Sequence, residues 1–248
     1  GDWDEIHDFV RGFQRANMAL KYAPKPVVAA PFGLTLGGGL EISLHCTRMA
    51  AAAETYMGLV ETGVGLIPAG GGAKEMLVRA TDSAPLGENA DPFHPIRQIF
   101  ENIGMAKVST SAKEARKLGY LSPCDTISMN RDHQLAAAKR FALKLVNQGY
   151  RPAKPREDIP VLGQSAYSKM RLGLHLMRRA EYITDHDAKV GEKLAKVLSG
   201  GAEFTSPQRV SEQYLLDLER EAFVSLCGEK QTRERIQYML KKGKPLRN

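Results

Sequence analysis

The sequence predicts an α/β fold: an α/β part first, then a mainly helical part. Three observations predict it. Short apolar runs, Val27 to Ala30 and Met49 to Ala53, sit among helical patterns in the first half. Two glycine runs, Gly37-Gly38-Gly39 and Gly70-Gly71-Gly72, each open onto a helical pattern. From Ser165 onward the chain reads as helix, broken at Ser199-Gly200-Gly201 and at Pro207. The boundary is placed near residue 130, giving a core over 1–130 with an inserted loop near 81–99, and a helical region over 131–248.

The elements follow in order. Ile6, Phe9, Val10, Phe13 and Ala16 share one helical face, and Pro24 and Pro26 end that helix. Val27 to Ala30 reads as a buried strand, Leu40 to about Met49 as an apolar helix, and Met49 to Ala53 as strand or helix, its shortness favouring a strand. Thr62 to Pro68 is a glycine-rich turn before a helix near Ala73 to Arg79. Pro85, Gly87, Pro92 and Pro95 make 81–95 a loop. Ser111 and Glu114 have capping-box spacing for a short helix ending at Gly119. An amphipathic helix over Asp132 to Gln148 and a proline-rich linker over Tyr150 to Gln164 lead into the helical region.

Composition narrows the function classes. No apolar run approaches the ~20 residues of a membrane span, and the acidic opening Gly1-Asp2-Trp3-Asp4-Glu5 is no secretory signal. Cys46, Cys124 and Cys227 are odd in number and far apart, which predicts a reducing, cytoplasmic setting without disulfides or a zinc site. The net charge of +7 comes from residues beyond 100. Acidic residues interleave with the basic ones there and aromatics are only 7%, so the pattern fits a solvated helical surface and no nucleic-acid partner is expected.

The chemistry concentrates between Lys25 and Gly72. A strand enters a glycine triplet that opens a helix, whose first N–H groups lack partners and face negative charge favourably. Such a turn can hold an oxyanion, with Gly38 as the donor and Gly37 and Gly39 beside it. Glu41, three residues on, projects to nearly the same face. Glu61 stands among Leu59, Val60, Gly63 and Gly65, where desolvation should raise its pKa into the range useful for general acid–base work. His45, one turn after Glu41, is read as a packed helix histidine and Cys46 as a small apolar residue. The Met and Leu positions around Leu172 to Met177 are read as helix core.

These stretches resemble the enoyl-CoA hydratase/isomerase, or crotonase, superfamily. The resemblance rests on Lys25-Pro26 before the strand, Gly38 in the triplet, Glu41 two residues after it, Glu61, and Gly65-Leu66-Ile67-Pro68-Ala69-Gly70-Gly71. It resumes at Ser111 to Tyr120, at Glu219 to Phe223 and at Gln237 to Pro245. The departures are Val60 where the family usually has Pro, Thr47 where it often has Asp, and a glycine run shifted by one small residue. The stretches 81–99 and 150–206 have no family counterpart and are similar to the hydratase region of long bacterial 3-hydroxyacyl-CoA dehydrogenases of fatty-acid β-oxidation.

The resemblance implies a crotonase-like ββα spiral core whose first strands would precede Gly1, and water addition to trans-2-enoyl-CoA. Glu41, Glu61 and Gly38 would be catalytic, and Gly37, Gly39, Pro68, Gly70, Lys241 and Lys244 would bind substrate. CoA would arrive with the acyl thioester, and no cofactor is expected in this chain, NAD belonging to an upstream dehydrogenase region of the same polypeptide. A homo-oligomer is compatible with the resemblance. The second oxyanion donor would also lie upstream, so the isolated chain is expected to be a poor hydratase. An isomerase, which needs one base, and a non-catalytic CoA-binding or assembly module are the alternatives.

Overall fold

The computed structural model describes residues 2–83 and 91–248. Helix α1 (Trp3–Lys21) is capped by Asp2, whose side chain accepts from the Glu5 N–H. Two strand–strand–helix units follow. The first is β1 (Val28–Ala29), β2 (Gly33–Leu36) and α2 (Gly38–Leu44). The second is β3 (Arg48–Ala52), β4 (Thr55–Gly58), a 3₁₀ turn over Glu61–Val64 and α3 (Gly72–Asp82). Each unit gives one strand to each of two parallel sheets. β1 pairs β3 with Val28 opposite Arg48, and β2 pairs β4 with Gly33 opposite Thr55. β5 (Thr126–Ser128) adds to the other side of β3. This is the ββα spiral, and it lays the starts of α2 and α3 side by side.

Helices α4 (Phe93–Gly104) and α5 (Ala112–Lys117) precede β5, and α6 (Gln134–Asn147) follows it. Strand β6 (Ile159–Val161) pairs antiparallel with β7 (Gln208–Val210) around the hairpin of α7 (Gln164–Arg179) and α8 (Asp185–Leu198). Helices α9 (Glu212–Cys227) and α10 (Lys230–Lys242) close the chain. One apolar cluster joins Leu40, Met57 and Leu77 to Leu194, Leu215 and Leu226, so the helical part packs directly on the spiral.

Several sequence expectations need correction. The loop expected over 81–95 ends where α4 begins: Ile96, Ile99 and Ile103 bury one face, and Pro95 is tolerated in the first turn, where its missing N–H has no acceptor to lose. Positions 84–90 lie outside the described residues. The apolar run from Leu40 to Met49 divides into α2 and β3, and the strand at Val28–Ala29 is half-buried. Nearby, Phe32, Leu34 and Tyr56 are exposed. The linker expected over 150–164 contains β6. Ser111 accepts from the Glu114 N–H, but the Glu114 carboxylate turns back to the Thr110 N–H rather than to Ser111. Cys46 is half-buried, not a core residue.

Candidate active site

Gly37 ends the β2 extension, its N–H donating to the Gly58 carbonyl at 2.9 Å. Its φ of 54° and ψ of −127° suit glycine. A β-carbon there would also stand 3.1 Å from Glu61 Oε1. Gly38 opens α2, so its N–H has no acceptor within the helix. Glu61, at the start of the 3₁₀ turn, therefore faces the glycine triplet. Its other oxygen, Oε2, is shut from solvent and has no hydrogen-bond partner. Burial, with the nearby charge of Glu41, pushes this carboxyl up to about 8.

Glu41 does not point along the triplet as its spacing suggested. It is buried, and its Oε1 accepts from the N–H groups of Gly70 and Gly72, both at 2.8 Å. Those amides begin α3, where N–H groups lack helical acceptors, so a carboxylate from the adjacent α2 satisfies them. Burial raises the Glu41 carboxyl to about 7, with the two amides and Lys74 pulling the other way. Phe13 on α1 walls this corner: a β-carbon on Gly38 would meet its ring at 3.4 Å, and one on Gly70 would overlap it at 2.3 Å.

The glutamates, the triplet and the Gly70 turn thus come together. Pro68 and Gly70 are buried behind Glu41, Gly39 is exposed, and Lys241 and Lys244 are exposed at the end of α10. Helix α10 reaches the site at its other end, where Thr232 Oγ1 donates to the Gly65 carbonyl at 2.8 Å. His45 is packed as expected, its Nδ1 2.7 Å from the Glu41 carbonyl oxygen, and burial lowers its pKa to about 4. Behind it runs an unforeseen buried charge network of Lys74, Glu75, Glu212 and Lys21. Leu174 and Met177 are not solid core: with Thr62, Phe100 and Val190 they line a cavity of about 570 Å³ beside the 3₁₀ turn. Among the described residues no group of three or more His, Cys, Asp or Glu is placed to hold a metal ion.

Sequence reasoning missed Phe13, Gln14, Asn17 and Glu219, all of which hold the Gly70 turn or its wall. A signal existed for Glu219: it lies on the same helical stripe as Leu215, Leu216, Ala222 and Leu226, where a carboxylate must find partners.

The spiral and the paired carboxylates resemble a crotonase-type unit. Residues 1–87 match the family model described as Enoyl-CoA hydratase/isomerase. A Bacillus subtilis protein named "Probable 3-hydroxyacyl-CoA dehydrogenase" is 48% identical over 98% of this chain, which spans 30% of that relative's length. The mitochondrial methylglutaconyl-CoA hydratase of Mus musculus is 42% identical over 29% of the chain and 23% of its own length. The crystal structure of an enoyl-CoA hydratase from Mycobacterium avium subsp. paratuberculosis superposes with a TM-score of 0.56 at 19% identity, over 98% of this chain and 73% of that one. That likeness bears on the fold alone.

Proposed function

We propose that this chain carries the acid–base pair of an enoyl-CoA hydratase acting in fatty-acid β-oxidation, adding water to trans-2-enoyl-CoA to give 3-hydroxyacyl-CoA. The observation that carries the reading is the unpartnered, buried Glu61 Oε2 beside the glycine triplet, with an amide-anchored second carboxylate at Glu41. Glu61, the higher of the two, holds a proton at neutral pH and gives it to C2. Glu41 takes a proton from the water whose oxygen bonds to C3. The Gly38 N–H holds the thioester oxygen as negative charge develops there. The proton gained at Glu41 balances the one lost at Glu61, and the pair resets by passing it back. The reading uses no metal or redox cofactor, and the apolar cavity beside Thr62 offers the acyl chain a place.

Isomerisation would use one carboxylate to move a proton along the chain. The two amides spent on orienting Glu41 favour the two-carboxylate reaction. We read the chain as the hydratase part of a longer polypeptide whose NAD chemistry lies in another region. The test is crotonyl-CoA hydration by the full-length protein: turnover is expected, and formation of 3-enoyl-CoA without hydration would favour the isomerase.

Lys241 and Lys242 at the end of α10, and Lys244 just beyond it, are candidate contacts for the CoA phosphates; the start of the same helix touches the turn after Glu61. Reversing all three charges should weaken acyl-CoA binding several-fold at low ionic strength, and much less at about 1 M salt, where the Debye length is near 3 Å. Calorimetry at both salts checks this. Equal affinity at low salt would leave these lysines as helix-dipole partners only.

A further inference from the structure

The turn that holds Glu41 is itself held by a second buried carboxylate. Glu219 on α9 accepts from the Gly71 N–H with one oxygen at 2.8 Å and from the Lys74 N–H with the other at 2.5 Å. The amides opening α3 therefore alternate between two helices: Gly70 and Gly72 donate to Glu41, Gly71 and Lys74 to Glu219. The carbonyls of the same turn are also taken. Gln14 Nε2 donates to the Ala69 carbonyl and Asn17 Nδ2 to that of Gly70, each at 2.8 Å, and Arg220 donates to Gln14 Oε1 at 2.7 Å. No β-carbon fits at Gly70, Gly71 or Gly72, where it would stand 2.3, 2.7 and 2.8 Å from its neighbours. A helix start is ordinarily satisfied by a single capping side chain. Two buried carboxylates sharing one helix start repel each other and lose hydration, which is a poor way merely to cap it.

We propose that Glu219 is a positioning residue for Glu41. By pinning the Gly71 and Lys74 amides it turns the Gly70 and Gly72 N–H groups onto a single oxygen of Glu41. Glu41 Oε2 carries no hydrogen bond among the described residues and is left for the water. The catalytic consequence rests on the hydration reading, whereas the grip on the turn does not. The other charged groups around the pair are Lys74 and Glu75 on α3, His45 on α2, Lys21 on α1, Glu212 and Arg220 on α9, and Glu61. Lys74 Nζ is committed to Glu75 and Glu212, so no contact ion pair cancels the repulsion between Glu41 and Glu219. Burial and the charge of Glu41 both push the Glu219 carboxyl up.

The experiment uses the full-length polypeptide with crotonyl-CoA. Glu219→Gln keeps the shape but removes the charge and one acceptor. Turnover should fall about tenfold with KM changed less than about twofold, the mark of a group that acts on the reaction rather than on binding. A folded Glu219→Gln protein with wild-type kcat overturns the proposal. Glu219→Asp keeps the carboxyl and shortens the reach: kcat should fall with KM little changed, and wild-type kcat would overturn the positioning role even if Glu219→Gln does not fold. Hydrogen exchange of the 69–75 amides reads the grip without turnover. Faster exchange in Glu219→Asp supports it, unchanged exchange overturns it, and a wild-type protein that exchanges slowly but hydrates nothing would count against the hydration reading alone.

Discussion

Glu61→Gln in the full-length polypeptide is expected to lower crotonyl-CoA hydration by at least about 10²-fold, the scale of a lost general acid–base group, and Glu41→Gln by a similar factor. Glutamine keeps the side-chain volume at both positions, so acyl-CoA binding should change little. The pH profile should be narrow. Turnover needs Glu41 ionised and Glu61 protonated, so it should fall below about 7 and above about 8. The two limbs belong to the pair, because each carboxyl feels the other's charge. The native state binds more protons than the unfolded chain between the ordinary carboxylate pKa and the raised native value, so this contribution to stability is present at low pH and lost as pH rises through about 8. Glu61→Gln removes that loss, and the variant should unfold at a higher temperature than wild type at pH 9, with the difference vanishing near pH 4. Near-normal turnover in either variant, measured by disappearance of the enoyl thioester, would remove that glutamate from the mechanism.

The glutamate pair could be read from sequence because both residues sit in local contexts that say what they do. Glu61 lies between apolar and glycine neighbours, and Glu41 follows a triplet that opens a helix. The first and third helices were also legible, from the spacing of Ile6, Phe9, Val10, Phe13 and Ala16 and from the glycine run before Ala73, although the face that the first helix buries is that of Val10, Gln14 and Asn17. Strands β2 and β4 were not. Each has four residues, too few for a period to emerge, and each pairs only with a strand from the other unit. Gly33, a residue type depleted in strands, pairs in register with Thr55. The run from Leu40 to Met49 is apolar throughout, and an apolar run does not say where helix yields to strand when both are buried.

The part of the site that lay beyond the sequence is held by contacts between distant residues. Glu219 meets Gly71 across 148 positions, and Gln14 meets Leu216 across 202. Each is an ordinary polar residue in its own helix. Its role appears only when α1 and α9 are laid over the start of α3. The Glu41 side chain was misdirected for the same reason: the triplet beside it in sequence offers free N–H groups, but the start of α3 offers two amides that converge on one oxygen.

Lys74→Met should cost the folded chain about 3–5 kcal/mol, the scale of breaking a buried ion pair by removing one partner. The Lys74 side chain is 0% exposed. Its ammonium contacts Glu75 and Glu212, with His45 Nε2 3.0 Å away and Met18 Sδ at 3.5 Å. Burial alone would raise the Glu75 carboxyl, but Lys74, His45 and Lys21 together hold it well below the ordinary range, and Glu212 is lowered against its burial by Lys74 and Lys21. Methionine fills the same volume and extends the apolar contact with Met18, so packing is kept while the charge is lost. Two buried carboxylates would then share Lys21 alone, and at least one should take up a proton. Adding Glu212→Gln to Lys74→Met removes the stranded charge and should recover part of the loss, a coupling expected between residues in direct contact. The pH dependence has a definite sign. Because Glu75 and Glu212 titrate low in the native state, their stabilisation is present above the ordinary carboxylate range and is lost as pH falls through their native values. Wild type should therefore lose stability toward acid, and Lys74→Met should lose less there. Urea unfolding of the 248-residue chain at pH 7.5 and at pH 4 measures both effects. A Lys74→Met cost below about 1 kcal/mol at pH 7.5 would mean that Lys21 and the surrounding dipoles already satisfy both carboxylates.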